Sequence, residues 1–255
     1  MELVGTGGRR PVRPGNWREV QLDLGSPGTV RALLERERPN TVFFCAYDKS
    51  NPAVTVDAAV AAARTAAELG VGFLFYSSDM VFDGAAGGYN EDAPLSPGTP
   101  YGAMKVQAEA LVQAEHPGAQ VVRTSLLVGE SGINMRPVYE CEALVRGLPV
   151  TLYRDEWRSP THVDDLARGA WELAALEVAG VFHLAGPERL SRLELGRILC
   201  SLYRLDEGLI READRPASRP RDTSLDSRRA AALLGWAPRR LSDLARLAIA
   251  TPSHG

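Results

Sequence analysis

Residues 72–84 read GFLFYSSDMVFDG, and residues 94–109 read PLSPGTPYGAMKVQAE. The first stretch carries an apolar run, Val71 to Tyr76, whose density of β-formers predicts a buried strand. The run stops at a hydroxyl pair, Ser77 and Ser78. The second stretch opens a helix, predicted over 102–115, after a proline-rich loop. Tyr101 and Lys105 stand four residues apart there, so their side chains share one helical face, one turn apart. That spacing has a chemical meaning. A free phenol titrates at about 10, too high to exchange protons readily near neutral pH. An ammonium one turn away favours the phenolate and lowers that value. A serine hydroxyl at the strand end holds a carbonyl or alcohol oxygen beside the tyrosine. Ser78, Tyr101 and Lys105 thus read as a proton relay for hydride transfer at a carbonyl centre, with a nicotinamide as hydride source. The plainer alternative is chance, since tyrosine and lysine fall at this interval on many helices. The strand ending in Ser-Ser-Asp favours the catalytic reading.

More of the chain agrees. SSDMVFDG (77–84) and PYGAMK (100–105) are followed by RTSLLVGE (123–130), DEWRSPTHVDDLA (155–167) and GVFHLAGPERLSRLELG (180–196). RPRDTSLDS (219–227) then precedes a Leu-Gly-Trp-Ala-Pro ending at 234–238. From about residue 20 to 245 this set resembles the extended short-chain dehydrogenase/reductase superfamily, and within it the dTDP-4-dehydrorhamnose reductase (RmlD-like) family. The resemblance implies an α/β fold, a doubly wound parallel sheet of the NAD(P)-binding Rossmann-like type with a smaller C-terminal substrate lobe. Residues 1–128 are then the dinucleotide-binding domain. Residues 129–255 are mainly the substrate lobe, with some strands and helices returning to the sheet.

The implied activity is NAD(P)H-dependent reduction of a nucleotide-linked 4-keto sugar. In that reading Ser78 polarises the carbonyl, Tyr101 donates the proton, and Lys105 tunes the tyrosine and holds the nicotinamide ribose. Cys45, Ala46 and Tyr47 pass beneath the cofactor's ribose and pyrophosphate, Asp23 and Leu24 lie near the adenine, and Thr124 lies against the nicotinamide. Asp79, Met80 and Asn134 fall to the substrate, with Arg158 holding a diphosphate and Trp157 stacking on a base or sugar. Five positions depart from the family's pattern. Ser78 replaces threonine and keeps the hydroxyl. Met80 replaces tyrosine and removes a polar contact near the sugar. Thr55 falls where asparagine is usual, and Trp157-Arg158 replaces small residues.

The beginning of the chain is unusual. Glu2 to Arg10 resembles the family's second strand and the loop after it, with GTGG read as loop because Arg9, Arg10, Pro11 and Pro14 follow where a helix would begin. The glycine-rich turn that sets pyrophosphate on a helix N-terminus is then absent. In a 3-2-1-4-5-6 sheet the absent strand is central, so two strand edges are expected to be unpaired. A misplaced start, a natural fragment and a chain that has given up dinucleotide binding all fit; the intact downstream set favours the first. Arg9 and Arg10 suit the 2′-phosphate of NADP, although paired arginines in an exposed loop are as often merely solvated. With no acid there to grip a 2′-hydroxyl, NADPH is favoured over NADH. Downstream, Val20 to Leu24 reads as a strand, Pro27 to Arg38 as a helix, Thr41 to Tyr47 as a strand and 53–69 as an alanine-rich helix. A helix from Ile133 to near Gly147 follows. Ser191 and Glu194 form a capping-box pattern, and Asp226 is placed to cap a later helix.

Composition limits the classes of function. Across 255 residues the charge is −3 with no basic block, which argues against nucleic acid as a partner. No apolar run reaches membrane-spanning length and no signal-peptide pattern opens the chain. Cys45, Cys141 and Cys200 lie far apart, without metal-ligand spacing, and fit a reducing, cytoplasmic setting. A nucleotide-sugar ligand and a homodimer are the expected partners. Two rivals stand beside the reductase. One is a non-catalytic regulatory module resembling the regulatory subunit of methionine adenosyltransferase; the other is a truncated, inactive reductase.

Overall fold

The computed structural model describes residues 2–7, 17–26, 28–129 and 139–250. In chain order the first elements are β1 (Val4–Gly7), β2 (Arg18–Gln21), α1 (Thr29–Glu37) and β3 (Thr41–Phe44). A π-helical turn (Ala53–Asp57) runs into α2 (Ala58–Leu69), followed by β4 (Gly72–Ser78), a 3₁₀ turn (Asp79–Val81) and α3 (Pro100–Glu115). Next come β5 (Gln120–Thr124), β6 (Leu127–Val128), α4 (Tyr139–Val145), β7 (Val150–Tyr153), β8 (Trp157–Arg158) and β9 (Thr161–His162). The rest are α5 (Val163–Ala175), β10 (Gly180–His183), β11 (Leu190–Ser191), α6 (Arg192–Tyr203), β12 (Ile210–Ala213), α7 (Arg228–Leu234) and α8 (Leu241–Ala250).

The centre is a four-stranded, wholly parallel sheet in the order β10-β5-β4-β3. Its strands read as unbroken apolar runs because both faces are covered. On one face Phe73 and Phe75 of β4 pack with Ala59, Ala62, Ala63 and Ala66 of α2 and with Ala108 and Val112 of α3. The alanines let α2 lie close to the sheet. On the other face Leu74 and Val122 pack with Leu166, Ala170 and Leu173 of α5. Residues of the second half (α5, β10 and α7) therefore complete the main sheet. A separate small core joins Val128 to Leu195, Leu199 and Leu241, beneath α6 and α8.

The sheet is divided where the sequence reading put the break. β1 pairs in parallel with β2 alone, β3 ends the four-stranded sheet, and no ladder joins them among the described residues. One expectation is corrected: the first glycines are strand, since β1 runs through Gly7 and pairs it with Gln21. The next strand also starts and stops earlier than expected, at Arg18 and Gln21, because Asp23 turns the chain by accepting from Gly25 N at 3.0 Å and Ser26 Oγ at 2.9 Å. Arg9, Arg10, Pro27 and Asn134 lie outside the described residues. The Ser191 capping box forms as expected, with both reciprocal bonds present. Before α7 the N-cap position is Ser227, one residue after the expected Asp226, although Asp226 still accepts from Arg228 N at 3.0 Å.

One buried polar cluster ties these layers together. Glu109 of α3 and Arg123 of β5 pair at 2.7 Å with side chains 3% exposed. Arg123 Nη1 also faces His183 Nε2 at 3.4 Å, while His183 Nδ1 faces the carbonyl of Asp226 at 3.2 Å. Arginine only donates, so Nε2 accepts and the proton is assigned to Nδ1. Burial, and then Arg123, push His183 down to about 3, which keeps it neutral. Replacing Glu109 by alanine strands the Arg123 charge, and urea unfolding should show a loss of about 3–5 kcal/mol. Adding Arg123→Met to Glu109→Ala should recover much of that loss, because no charge is then left buried alone.

Candidate active site

β4 ends in the sheet centre, and its last residue begins a tight turn. Ser78 is extended, and its hydroxyl accepts from Met80 N at 3.2 Å, capping the 3₁₀ turn. The same hydroxyl donates to Asp79 Oδ1 at 3.1 Å. Asp79 Oδ2 accepts from Ser125 Oγ at 2.7 Å and from Thr223 Oγ1 at 3.1 Å. SSDMVFDG and RPRDTSLDS, far apart in sequence, are therefore one structure. Gly84, at φ 80°, admits the later segment: a Cβ there would lie 2.9 Å from Arg221 N and from Pro220 Cβ.

Tyr101 enters from α3. Thr99 caps that helix by accepting from Gly102 N at 3.1 Å, and Pro100 occupies the first turn. Gly102 lets the helix start rest on the turn after β4, since a Cβ would sit 2.0 Å from the Met80 carbonyl oxygen. This close approach brings Tyr101 to Ser78. The Tyr101 phenol comes within reach of the Ser78 hydroxyl, and Tyr47 packs near the phenol with ring centroids 5.9 Å apart.

The electrostatics differ from the expectation drawn from spacing. Burial, and after it the neighbouring Tyr47 and Asp79, push the Tyr101 phenol above its ordinary value, with the nearby Ser78 hydroxyl pulling the other way. Lys105 does not lower it. The Lys105 ammonium donates to the Tyr76 carbonyl at 2.7 Å and lies 4.5 Å from the centre of the Phe75 ring, so it addresses the strand. Burial pushes this amine down to about 8.

Of the residues expected on the cofactor side, Cys45 and Tyr47 lie near Lys105. Cys45 and Tyr47 follow β3; Tyr47 is exposed, and the Lys105 nitrogen sits 5.8 Å from its ring centre. Cys45 is open to solvent by surface area, yet enough protein surrounds its sulfur to push the thiol up to about 11. Ala46 and Leu24 pack against the core. Thr55, at the departure from asparagine, is fully buried and fixes the loop by accepting from Asp48 N at 2.8 Å and donating to Asp48 O at 2.7 Å. Thr124 pairs in register with Ser78, and its buried Oγ1 has no hydrogen-bond partner among the described residues. Asp23 lies in the turn after β2, away from this group in the chain.

Among the residues expected on the substrate side, Trp157 has the guanidiniums of Arg189 and Arg221 near its ring, at 4.3 and 5.4 Å from the centroid. Arg158 differs from the expected diphosphate ligand. It is 5% exposed, pairs with Glu156 at 3.0 Å and Asp79 at 3.6 Å, and donates to the Trp157 carbonyl at 2.9 Å. An open cleft of about 380 Å³ lies nearby in the chain, lined by Asp83, Gly84, Arg215, Arg219 and Arg221 among others. Sequence reasoning missed Ser125 and Thr223. Both sit inside the quoted motifs, but single hydroxyls carry no spacing signal. No cluster fit for a metal ion occurs, and no helix is long and apolar enough to cross a membrane, among the described residues.

A family model, the RmlD substrate binding domain, matches residues 9–251. Among curated proteins the chain is 31% identical over 243 residues to a probable low-salt glycan biosynthesis reductase, Agl14, of Haloferax volcanii, covering 88% of this chain and 81% of that one. It is 29% identical over 248 residues to methionine adenosyltransferase 2 subunit beta of Bos taurus, covering 89% of this chain and 73% of that one. Among solved structures, the dTDP-4-dehydrorhamnose reductase of Bacillus anthracis in complex with NADP superposes with a TM-score of 0.79 at 19% identity, covering 98% of this chain and 99% of that one. Two motifs locked through Asp79, on a parallel sheet of this order and across this length of match, place the chain in the RmlD family of the extended short-chain dehydrogenase/reductases.

Proposed function

We propose that this chain is an NAD(P)H-dependent reductase of a nucleotide-linked 4-keto sugar. The observation that carries the reading is the meeting of the Ser78 and Tyr101 hydroxyls at the end of β4, beside a buried lysine. When bound, a reduced nicotinamide supplies the hydride to the carbonyl carbon. The chain does the rest. Ser78 donates a hydrogen bond to the carbonyl oxygen, and Tyr101, kept protonated by its burial, gives that oxygen a proton as negative charge develops on it. The Thr124 hydroxyl, without a partner among the described residues, supports a polar ligand at this point of the sheet, as a nicotinamide carboxamide would be. Lys105 holds the ribose side with Cys45, Ala46 and Tyr47, while Asp23 and Leu24 take the adenine side and Arg9 and Arg10 a 2′-phosphate. The NADP bound by the Bacillus anthracis structure supports this cofactor class. Trp157, with the Arg189 and Arg221 guanidiniums close to its ring, puts an aromatic surface and positive charge where a nucleotide would bind.

A second reading is a regulatory module, and the similarity to methionine adenosyltransferase 2 subunit beta favours it specifically. Tyr101→Phe separates the two. In a reductase the variant stays folded and binds NADPH, while turnover of a dTDP-linked 4-keto sugar falls by about 10²–10⁴. Unchanged turnover, or none in the parent chain, overturns the catalytic reading.

Lys105 gives a pH test. Its amine is charged below about 8 and neutral above it. NADPH affinity, followed by fluorescence titration from pH 6.5 to 9.5, should fall as pH rises through that value. Lys105→Met should bind weakly at every pH and lose this step; a parent chain with flat affinity removes the lysine from the cofactor site.

A further inference from the structure

The resemblance sets Asp79 against the sugar, yet the structure commits both of its oxygens to protein. Oδ1 takes the Ser78 hydroxyl, Oδ2 takes Ser125 and Thr223, and the residue is 4% exposed. The cation beside it is Arg158, with Nε 3.6 Å from Oδ2. Arg158 in turn pairs with Glu156 at 3.0 Å, and Glu156 with Arg219 at 2.5 and 3.0 Å. Four charges of alternating sign thus run from the end of β4 to Arg219, whose side chain is 42% exposed. Arg158 stands where the family has a small residue, and its Nη2 lies 3.9 Å from the sulfur of Met80, which stands where the family has tyrosine. The two departures are in contact.

Ser78 has a single hydroxyl hydrogen. Given to Asp79, it is withheld from a substrate oxygen. The pull of the carboxylate on that hydrogen depends on how far its charge is balanced, and in a buried setting the balance comes from neighbours rather than from water. We propose that Arg158 is a positioning residue for Ser78, acting through Asp79: its guanidinium balances the carboxylate so that the Ser78 hydroxyl can turn its hydrogen from Asp79 to the substrate oxygen. This rests on the reading of Ser78 and Tyr101 as the reacting pair.

A double-mutant cycle tests it. Arg158→Gln should lower kcat with dTDP-4-dehydrorhamnose and NADPH by ~10- to 100-fold, the scale of a misplaced reacting group. The NADPH dissociation constant should stay within about twofold, because Arg158 does not act at the cofactor. In the Asp79→Asn background the same substitution should cost less than about threefold, since no carboxylate remains to be balanced. Urea midpoints, read without cofactor or substrate, should follow the same pattern. Arg158→Lys keeps the charge and should retain most of kcat, so it also serves if Arg158→Gln does not fold. Equal losses in both backgrounds, or a folded Arg158→Lys as impaired as Tyr101→Phe, overturn the proposal. If Tyr101→Phe is inactive and Arg158→Gln is not impaired, this inference fails and the reductase reading stands. If Tyr101→Phe retains turnover, the reductase reading itself fails.

Discussion

The buried carboxylate of Asp79 is the constraint on which the rest of the site depends. A carboxylate removed from water must be matched by donors or by a cation, and a half-satisfied one is costly. Asp79 is matched from three directions: Ser78 on its own turn, Ser125 after β5, and Thr223 in the C-terminal segment. Each partner belongs to a different part of the chain, so satisfying one charge fixes three segments relative to one another. The proposed reacting serine is one of them.

This explains why the C-terminal segment sits against the end of β4 and not elsewhere. Thr223 brings Asp222 and Arg221 with it, and Asp222 N donates to the Gly84 carbonyl at 3.0 Å. Beyond that point Tyr89 N donates to the Ser224 carbonyl at 2.9 Å, and Asp226 N donates to the Tyr89 carbonyl. A side wall of the site is thus zipped to the loop after β4 by backbone hydrogen bonds, anchored at one end by Asp79 and at the other by the contact of His183 with Asp226. The two ends use opposite solutions to polar burial. Asp79 is held among hydroxyls and a cation, whereas His183 is kept neutral.

Much of this was legible in the sequence, for identifiable reasons. The run 71–78 reads as strand because every residue from Phe73 to Tyr76 is apolar or aromatic, and the start of α3 is marked by Thr99 and Pro100. The proximity of Ser78 and Tyr101 followed from the pattern of motifs. The direction in which Lys105 points did not. Helical spacing places Lys105 on the face of Tyr101, but a four-carbon stem reaches any acceptor nearby, and the strand carbonyl at Tyr76 lies closer to hand. The burial of Arg158 was illegible for a related reason: only the fold shows two carboxylates drawing it inward.

Fold alone does not decide between a reductase and a binding module, because this fold supports both. The site is more discriminating. A module that only docks to a partner has no physical need for a buried lysine pushed down to about 8, nor for a buried threonine hydroxyl left without a partner among the described residues. Both features cost stability when nothing is bound. They lie within the same strand ends, Lys105 on the carbonyl of Tyr76 and Thr124 in register with Ser78. A chain that keeps two such costs side by side, next to a tyrosine held protonated, is arranged around a polar ligand at that point. These features support the proposed catalytic reading over one of docking alone.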